Sequence, residues 1–561
     1  MRQRPDIEPS MIRAIRSKIL ISIFGLITAF AAASAGQQTS EPPRAPILRI
    51  EIGRHTAPIR SISTDTQNRF LVTGSDDKTA RVWDLATGRL LRVLRPPIST
   101  IVDGQLLAVA LSPDGNTVAV GGRTGFEWDA SNCIYLFDRE SGRLLRRIVG
   151  LPEVIYHLTY SPDGRWMAAT LLGKKGIYIY EASGYTQINK DTNCDGNGSR
   201  ADFDSQGRIV TSCSDGAVRL YQLSNEGLRL IAKRTVLSGS RPFGVKFAPD
   251  GSKIAIGFRD SMRVVVVSAQ DLTSIYEPRT SGAESGTLWM VAWSADGRRL
   301  YAGGGVNGLK TQIRDWADNG RGDSQDIRVA ASFIYDLVAL RDGGVVYATT
   351  DPSWGRLDAE GRRSVLSGED TSSYSLPSDM CGLRSKLHLS PDGMYIQFPR
   401  WKSDMQFSVL GRELGSSVTS ERLASPLITG LNIIDWCGTF TPKLNGKALL
   451  FEYQNISSQS LAIAPDYSRF AVGTEFGLYL FDRNGKKLWL AGPMSETVMV
   501  NVSGDGKLIT AGSTDGTIRW HRITDGKELL AFFPHPDGKR WVLWTPSGYY
   551  DASPGAEELI G

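Results

Sequence analysis

Short apolar runs recur along this chain, and a tight polar turn separates each run from the next. Six turns share the form Ser/Ala-x-Asp-Gly, at residues 112–115, 161–164, 248–251, 294–297, 390–393 and 503–506. Asp-Gly between two apolar runs is a strong β-hairpin signal, because glycine adopts positive φ without steric cost. Within the runs the apolar positions alternate with a period of two, as at Leu71 and Thr73 and at Ala80 and Val82. This alternation predicts half-buried strands.

The turns are regularly spaced. With Gln206-Gly207 and Asp342-Gly343 counted as variants, successive turns from Gly115 to Gly393 lie 43 to 50 residues apart. A period of this size indicates a repeat architecture, and strands within each unit predict an all-β propeller fold rather than a helical solenoid. Counting strands gives about ten blade units. A single propeller usually has four to eight blades, so ten units predict two rings, or one ring plus a partial one.

The clearest unit spans residues 54–94 and resembles a WD repeat. The resemblance implies a structural tetrad of His55, Thr73, Asp77 and Trp83. In that family the aspartate accepts a hydrogen bond from the histidine, which is linked through the hydroxyl residue to the tryptophan. A buried network of this kind is stabilising only when every member is satisfied. We therefore expect these four residues to support the fold and to have no catalytic role.

The spacing breaks once, because 74 residues separate Gly393 from the equivalent Tyr467, whereas 39 separate Tyr467 from Gly506. The extra segment predicts an excursion between blades or between two propellers. The expected organisation is a signal peptide at 1–35, a linker at 36–45, propeller units at 46–415, an insertion at 416–452, further blades at 453–533 and a truncated aromatic linker motif at 534–561.

The N-terminal segment has the layout of a secretory signal peptide. Basic residues end at Lys18, residues 19–32 are apolar, and the small residues Ala-Ser-Ala follow at 33–35. Without cleavage, the apolar run of about 17 residues would serve as an inner-membrane anchor. In both cases we expect an exported body, periplasmic or on the cell surface. Residues 1–35 also carry +3 of the net charge of +5, so the body is nearly neutral and no nucleic-acid partner is expected.

Two further features concern cysteines and metals. None of the five cysteines forms a Cys-x-x-Cys motif, which argues against a zinc or redox site. Cys194 and Cys213 lie at opposite ends of a predicted hairpin, where an oxidising compartment would allow a disulfide. Buried free thiols are the favoured interpretation. Segment 191–202 fits a calcium-loop template. However, its last residue is not glutamate and a strand follows it, so an ordinary polar loop is the favoured interpretation, and no metal or cofactor is assigned.

Aromatic residues in segment 533–555 resemble a linker motif of bacterial WD-repeat proteins, in which a caspase-like cysteine peptidase domain often accompanies the propeller. The sequence given ends at Gly561, within this motif. None of the five cysteines lies in a Gln-Ala-Cys-x-Gly context, and no Cys/His pair qualifies as nucleophile and base. We therefore expect the peptidase domain to be absent from this chain.

These observations predict a non-catalytic exported scaffold that binds an unidentified protein partner on a propeller face. A second hypothesis makes the chain the sensor or regulatory propeller of a caspase-like peptidase. A third is a propeller enzyme, which would need metal, quinone or acid/base residues that the sequence does not provide. Because aromatic residues dominate interface hot spots, the candidate exposed anchors are Trp128, Tyr156, Trp166, Trp289 and Trp354; for any single one, filling a blade interface is the favoured alternative.

Overall fold

The computed structural model describes residues 47–98, 103–225, 227–280, 286–305, 311–330, 332–367, 387–399, 403–416, 423–451, 456–492 and 496–561. These residues form antiparallel β-sheets, with one short helix, α1 (Phe126–Asp129), and two 3₁₀ turns (Asp318–Gly320 and Glu557–Leu559). Within the described ranges, ten sheets have four or more strands and one has three. The predicted WD-repeat-like propeller with about ten blade units is therefore confirmed. The predicted signal peptide lies outside the described residues.

The first seven sheets, blades 1 to 7, each consist of four consecutive strands. Their bounds are β1 (Ile59–Thr64), β2 (Phe70–Ser75), β3 (Ala80–Asp84) and β4 (Leu90–Leu94) in blade 1; β5 (Gln105–Leu111), β6 (Thr117–Arg123), β7 (Asn132–Asp138) and β8 (Leu144–Leu151) in blade 2; β9 (Ile155–Tyr160), β10 (Trp166–Leu171), β11 (Ile177–Glu181) and β12 (Thr186–Asp191) in blade 3; β13 (Gly198–Phe203), β14 (Arg208–Cys213), β15 (Ala217–Ser224) and β16 (Gly227–Thr235) in blade 4; β17 (Pro242–Phe247), β18 (Lys253–Phe258), β19 (Val264–Ser268) and β20 (Ser274–Tyr276) in blade 5; β21 (Met290–Trp293), β22 (Leu300–Gly303), β23 (Thr311–Trp316) and β24 (Ser324–Ala330) in blade 6; and β25 (Ile334–Ala339), β26 (Val345–Thr349), β27 (Trp354–Leu357) and β28 (Arg363–Ser367) in blade 7.

The repeated Ser-x-Asp-Gly turns join the first strand of a blade to its second. In blade 2, Gly115 has a φ of +79°, and its N–H donates to the Ser112 carbonyl over 2.8 Å. The Ser112 hydroxyl donates to Asp114 over 2.5 Å and accepts the N–H of Thr117 over 2.9 Å. The serine therefore ties the turn to the start of the following strand, and the same serine–aspartate bond recurs in blades 3 and 6.

Blades 1 to 7 form a closed ring. The first strand of every blade is innermost, and all seven of these strands line one central cavity of about 430 Å³, which we call the ring cavity. Strand β25 packs against β1, where the Asp336 carboxylate accepts the Ile62 N–H over 2.9 Å. The rings of Trp83 and Trp354 also meet there, with centroids 5.6 Å apart. Blades 1 and 7 each take their four strands from one continuous stretch of the chain. The ring is therefore closed by these side-chain contacts between the two blades.

Residues 387–561 form a second unit, the C-terminal body. Its strands are β29 (His388–Leu389), β30 (Tyr395–Phe398), β31 (Met405–Ser408) and β32 (Glu413–Gly415) in blade 8; β33 (Ile433–Ile434), β34 (Lys443–Leu444) and β35 (Lys447–Ala448) in a small sheet; β36 (Ser458–Ile463), β37 (Arg469–Thr474), β38 (Gly477–Asp482) and β39 (Lys487–Ala491) in blade 9; and β40 (Thr497–Val502), β41 (Leu508–Ser513), β42 (Ile518–Arg522), β43 (Glu528–Pro534), β44 (Trp541–Trp544) and β45 (Tyr550–Ala552) in blade 10.

Blade 10 lies between blades 9 and 8, so the spatial order of the blades differs from their order in the chain. The Trp520 indole N–H donates to the Gly393 carbonyl of blade 8 over 2.8 Å. The small sheet lies within the predicted insertion at 416–452 and packs against blade 9. The segment 534–561, expected as a linker, instead adds β44 and β45 to the edge of blade 10, because its alternating aromatic residues pair with β43.

The two units are joined through residues 48–52. Ile50 pairs with Ile560 in an antiparallel bridge, and the Gly561 N–H donates to the Arg49 carbonyl over 2.8 Å. The Glu51 carboxylate binds Arg81 of blade 1 over 2.6 Å. The same short segment therefore contacts both the ring and the C-terminal body.

Candidate interaction site

The four tetrad residues are brought together and buried in blade 1. The His55 Nδ1–H donates to Asp77 over 2.8 Å, the Thr73 hydroxyl lies 2.7 Å from His55 Nε2, and the Trp83 indole N–H donates to Thr73 over 2.9 Å. Burial lowers the pKa of His55. Burial alone would raise the pKa of Asp77, but the hydrogen bond from His55 holds it well below its usual range. A neutral histidine and an ionised aspartate thus link the segment before β1 and the β2–β3 turn to strands β2 and β3, in a network that is almost entirely buried.

Other blades replace the tetrad with different contacts. In blade 4, Asp215 forms an ion pair with Arg219, and the Tyr221 hydroxyl donates to Asp191 over 3.0 Å. In blade 10, His521 at the tryptophan position lies 3.1 Å from the Gly526 carbonyl. In these blades Asp215, Tyr221 and His521 therefore form local contacts that differ from the WD signature.

The predicted aromatic anchors divide into two groups. Trp128, Trp166 and Trp354 are 3%, 8% and 1% exposed and pack between neighbouring blades. Tyr156 and Trp289 are only half-buried. Both lie at the start of an innermost strand, at the same end of the ring.

Around Tyr156 and Trp289, further aromatic residues complete a cluster that we call the aromatic entrance: Tyr156, Phe243, Trp289, Phe333 and Tyr335. The Trp289 ring lies 6.1 Å from Phe333 and 6.3 Å from Tyr335. Tyr156 meets Phe243 edge-on at 6.1 Å. Phe333 is 47% exposed, which leaves one apolar side chain available at this end of the ring.

Arginines cover parts of this entrance. The Arg60 guanidinium lies 4.4 Å from the Tyr335 ring centroid, and Arg259 lies 5.6 Å from that of Phe243. Arg60 is neutralised by Asp76 at 2.5 Å, whereas Arg259 forms no ion pair among the described residues. Stacking of this kind contributes about 0.5–1 kcal/mol at exposed sites. The entrance therefore combines apolar area with positive charge.

Arg200 lines the ring cavity and also contacts the aromatic entrance, where its guanidinium lies 5.7 Å from the Phe243 ring centroid. Arg200 of blade 4 reaches across to Asp336 of blade 7 over 3.3 Å, and both side chains are 6% exposed. The C-terminal body approaches the same end of the ring, since Arg123 of blade 2 lies 5.6 Å from the Phe476 ring centroid. The Arg200–Asp336 ion pair therefore borders the aromatic entrance on one side, and the C-terminal body lies on another.

The calcium-loop candidates are not assembled around a common point. Asp195 forms an ion pair with Lys174 over 2.5 Å, and Asp202 forms one with Lys246 over 2.7 Å. Asp191 accepts the Asn193 N–H over 2.7 Å. Across the described ranges, no group of three or more His, Cys, Asp or Glu side chains is placed to hold a metal ion.

Cys194 and Cys213 form a disulfide, with their Cα atoms 5.9 Å apart. Cys437 is also disulfide-bonded, and Cys133 is the free, buried thiol among the described residues. Burial raises the pKa of Cys133 to about 12, so this thiol is inert at neutral pH and is not a nucleophile. In the same part of the chain, no helix is long and apolar enough to span a bilayer.

Comparison with known proteins matches one repeat. The profile of the WD domain, G-beta repeat family (WD40) matches residues 48–84. The chain is similar to the ribosome biogenesis protein BOP1 homolog of Monosiga brevicollis, with 42% identity over 66 residues, 12% of this chain and 8% of that protein. The homologs of that name in Drosophila erecta and Drosophila melanogaster are 48% identical over 40 residues, 7% of this chain and 5% of theirs. The matches therefore span less than a tenth of the relatives' own length. The matched repeat and the four-stranded sheets around it support a WD-repeat β-propeller.

Proposed function

We propose that this chain is an exported, non-catalytic scaffold that binds a protein partner at the aromatic entrance. The observation that carries the proposal is the exposure of Phe333 beside half-buried Trp289, Tyr335 and Tyr156 at one mouth of the ring. Exposed aromatic groups next to arginine are the composition of interface hot spots. WD-repeat propellers generally act by binding proteins.

The disulfides support the export part of the proposal. Disulfides persist in secreted and periplasmic proteins and are rare in the cytosol and nucleus. Both the Cys194–Cys213 bond and the bonded state of Cys437 fit an oxidising compartment, as does the signal-like composition of residues 1–35. The relatives named for ribosome biogenesis match too little of their length to extend that role to this chain.

The absence of a catalytic role rests on the buried polar groups. The tetrad histidine is fully bonded, and burial raises the pKa of the free thiol Cys133 to about 12. The sensor role beside a caspase-like peptidase remains the alternative proposal. That alternative uses the same binding surface, but there the bound partner would regulate a peptidase.

The test is a comparison of binding partners between two variants. Phe333→Ala removes the exposed ring of the entrance, and Tyr549→Ala removes a tyrosine that is 79% exposed on the C-terminal body. Tagged wild type and both variants are recovered from the native compartment and their bound proteins are quantified by mass spectrometry. A partner lost at least tenfold with Phe333→Ala and retained with Tyr549→Ala supports the proposal. If the two variants and the wild type retain the same proteins, the entrance is not the binding site.

A further inference from the structure

Arg200 of blade 4 is a buried cation that lines the ring cavity. Arg200 is 5% exposed; its two terminal nitrogens donate to Asp336 and to the Tyr335 carbonyl, each over 3.3 Å. Its Nε–H has no partner among the described residues. Burying a donor without an acceptor is unfavourable, and an acceptor bound in the cavity would satisfy this nitrogen.

A second spare donor comes from His157 on β9. Its Nδ1 accepts the Ala201 N–H over 3.2 Å, so the neutral ring carries its proton on Nε2. Burial, together with the charges of Arg200 and Lys246, lowers the pKa of His157 well below its ordinary value, which keeps the ring neutral. Nε2 has no partner within the described part of the chain, and His157 lines the cavity.

A third donor is Lys246 on β17, whose ammonium donates to Asp202 over 2.7 Å and is 38% exposed. Two of its N–H groups are left for another acceptor. Asp202 also accepts the Phe247 N–H over 2.9 Å. The Asp336 carboxylate likewise accepts backbone N–H groups, from Ile62 and Leu337. Each of the two aspartate carboxylates accepts backbone N–H groups as well as hydrogen bonds from a cation. Arg200 and Lys246 therefore retain N–H groups that can bind an additional anion.

We propose that the ring cavity binds a small carboxylate through Arg200, His157 and Lys246. These three donors come from the neighbouring blades 4, 3 and 5. A carboxylate has two oxygens with several acceptor positions, which matches converging N–H donors. The cavity volume of about 430 Å³ is large enough for such a group. The wall extends to Thr66, Pro113 and Arg341 at the opposite end of the inner strands, which provides a route of entry away from the aromatic entrance.

The carboxylate can belong to a free small acid or to the C-terminus of a peptide. Both present the same oxygens, so the experiment compares them. Arg200 contacts Phe243 of the aromatic entrance, but the exposed Phe333 ring that carries the proposed partner binding does not line the cavity. A failure of the carboxylate site would therefore leave the proposed partner binding untouched.

Ligand-observed NMR titration of the full chain tests this assignment. Acetate is expected to bind, and acetamide, its neutral analogue, at least tenfold more weakly, because a charge-assisted hydrogen bond is about twice as strong as a neutral one. A short peptide with a free C-terminus that binds at least tenfold more tightly than acetate indicates a chain terminus as ligand. Equal affinity indicates a free acid. Absence of acetate binding, or equal binding of acetamide, overturns the proposal.

His157→Asn is the informative variant, since the asparagine oxygen can still accept the Ala201 N–H while the Nε2 donor is lost. We expect acetate affinity to fall at least tenfold. The matched control is His388→Asn in blade 8, which should leave affinity unchanged. If His157→Asn lowers the melting temperature of the ring, the double variant Lys246→Met with Asp202→Asn removes a donor without leaving a charge unpaired, and it should also weaken binding tenfold. Unchanged affinity in both cavity variants rejects the site.

Discussion

The Arg200–Asp336 pair gives the sharpest test of how the ring is closed. Asp336 lies on blade 7 and receives hydrogen bonds from blade 1 and from blade 4, so one carboxylate joins three blades. Asp336→Asn preserves the shape of the side chain but removes its charge and replaces one acceptor oxygen with a donor. Arg200, 6% exposed at its side chain, then remains buried beside an amide.

The expected cost follows from the burial of both partners. Removing one partner of a buried ion pair typically costs about 3–5 kcal/mol, because the remaining charge is uncompensated. We expect about 3 kcal/mol for Asp336→Asn, since the asparagine oxygen can still accept the Ile62 N–H. For a domain of this size, about 2 °C is lost per kcal/mol, so the ring should melt about 6 °C lower. The double variant Arg200→Met with Asp336→Asn should recover most of this loss.

Differential scanning calorimetry of the wild type, the single variant and the double variant measures these shifts. The control is Glu277→Gln, which removes an exposed ion pair with Arg263 in blade 5 and should cost less than about 1 kcal/mol. The reasoning is refuted if Asp336→Asn shifts the transition by less than the control, or if the double variant is less stable than the single one.

Three further results are expected. Thr73→Val leaves the tetrad's histidine and tryptophan without their shared hydroxyl and should cost about 2–4 kcal/mol by calorimetry, whereas Thr73→Ser should cost under about 1 kcal/mol; equal losses would contradict the network. Paired Cys194→Ser and Cys213→Ser should cost about 3 kcal/mol, and thiol titration of the unfolded, unreduced wild type should find fewer than five reactive thiols. Burial raises the pKa of Glu496 from 4.5 to about 7, so its contribution to stability is present below pH 4.5 and is lost as pH rises to about 7; Glu496→Gln should flatten this part of the melting profile.

The blades could be predicted from the sequence because each turn is a local structure. The Asp-Gly turns adopt positive φ where the spacing places them, as at Gly115. The turns were predicted from the Asp-Gly pair alone, and the hydrogen bonding of the serine was not predicted. Its hydroxyl contacts residues two to five positions away, so its position in the repeated tetrapeptide was a readable signal.

The grouping of blades could not be predicted, because contacts between blades join periodic positions that look alike along the chain. The acceptor of the Ile62 N–H is Asp336, 274 positions away, and no local pattern links them. For the same reason, the sequence did not show which of the aromatic anchors are buried. Trp354 lies on the third strand of its blade and is buried, whereas Trp289 precedes an innermost strand and reaches the ring mouth. Phe333 and Tyr335 were missed, although they flank the start of β25 in the same way.

The bridge between Ile50 and Ile560 has a consequence for the order in which the molecule assembles. Each of the seven ring blades is made of consecutive strands, so these blades can form one after another as the chain is synthesised. The bridge joins residues from almost opposite ends of the sequence and cannot form until residue 560 is available. Docking of the C-terminal body on residues 48–52 must therefore follow synthesis of all the residues between them and Ile560. Until then, Leu48, Ile50 and Ile52 lack the apolar partners of blade 10, and this exposed segment would be a natural site for a chaperone to hold.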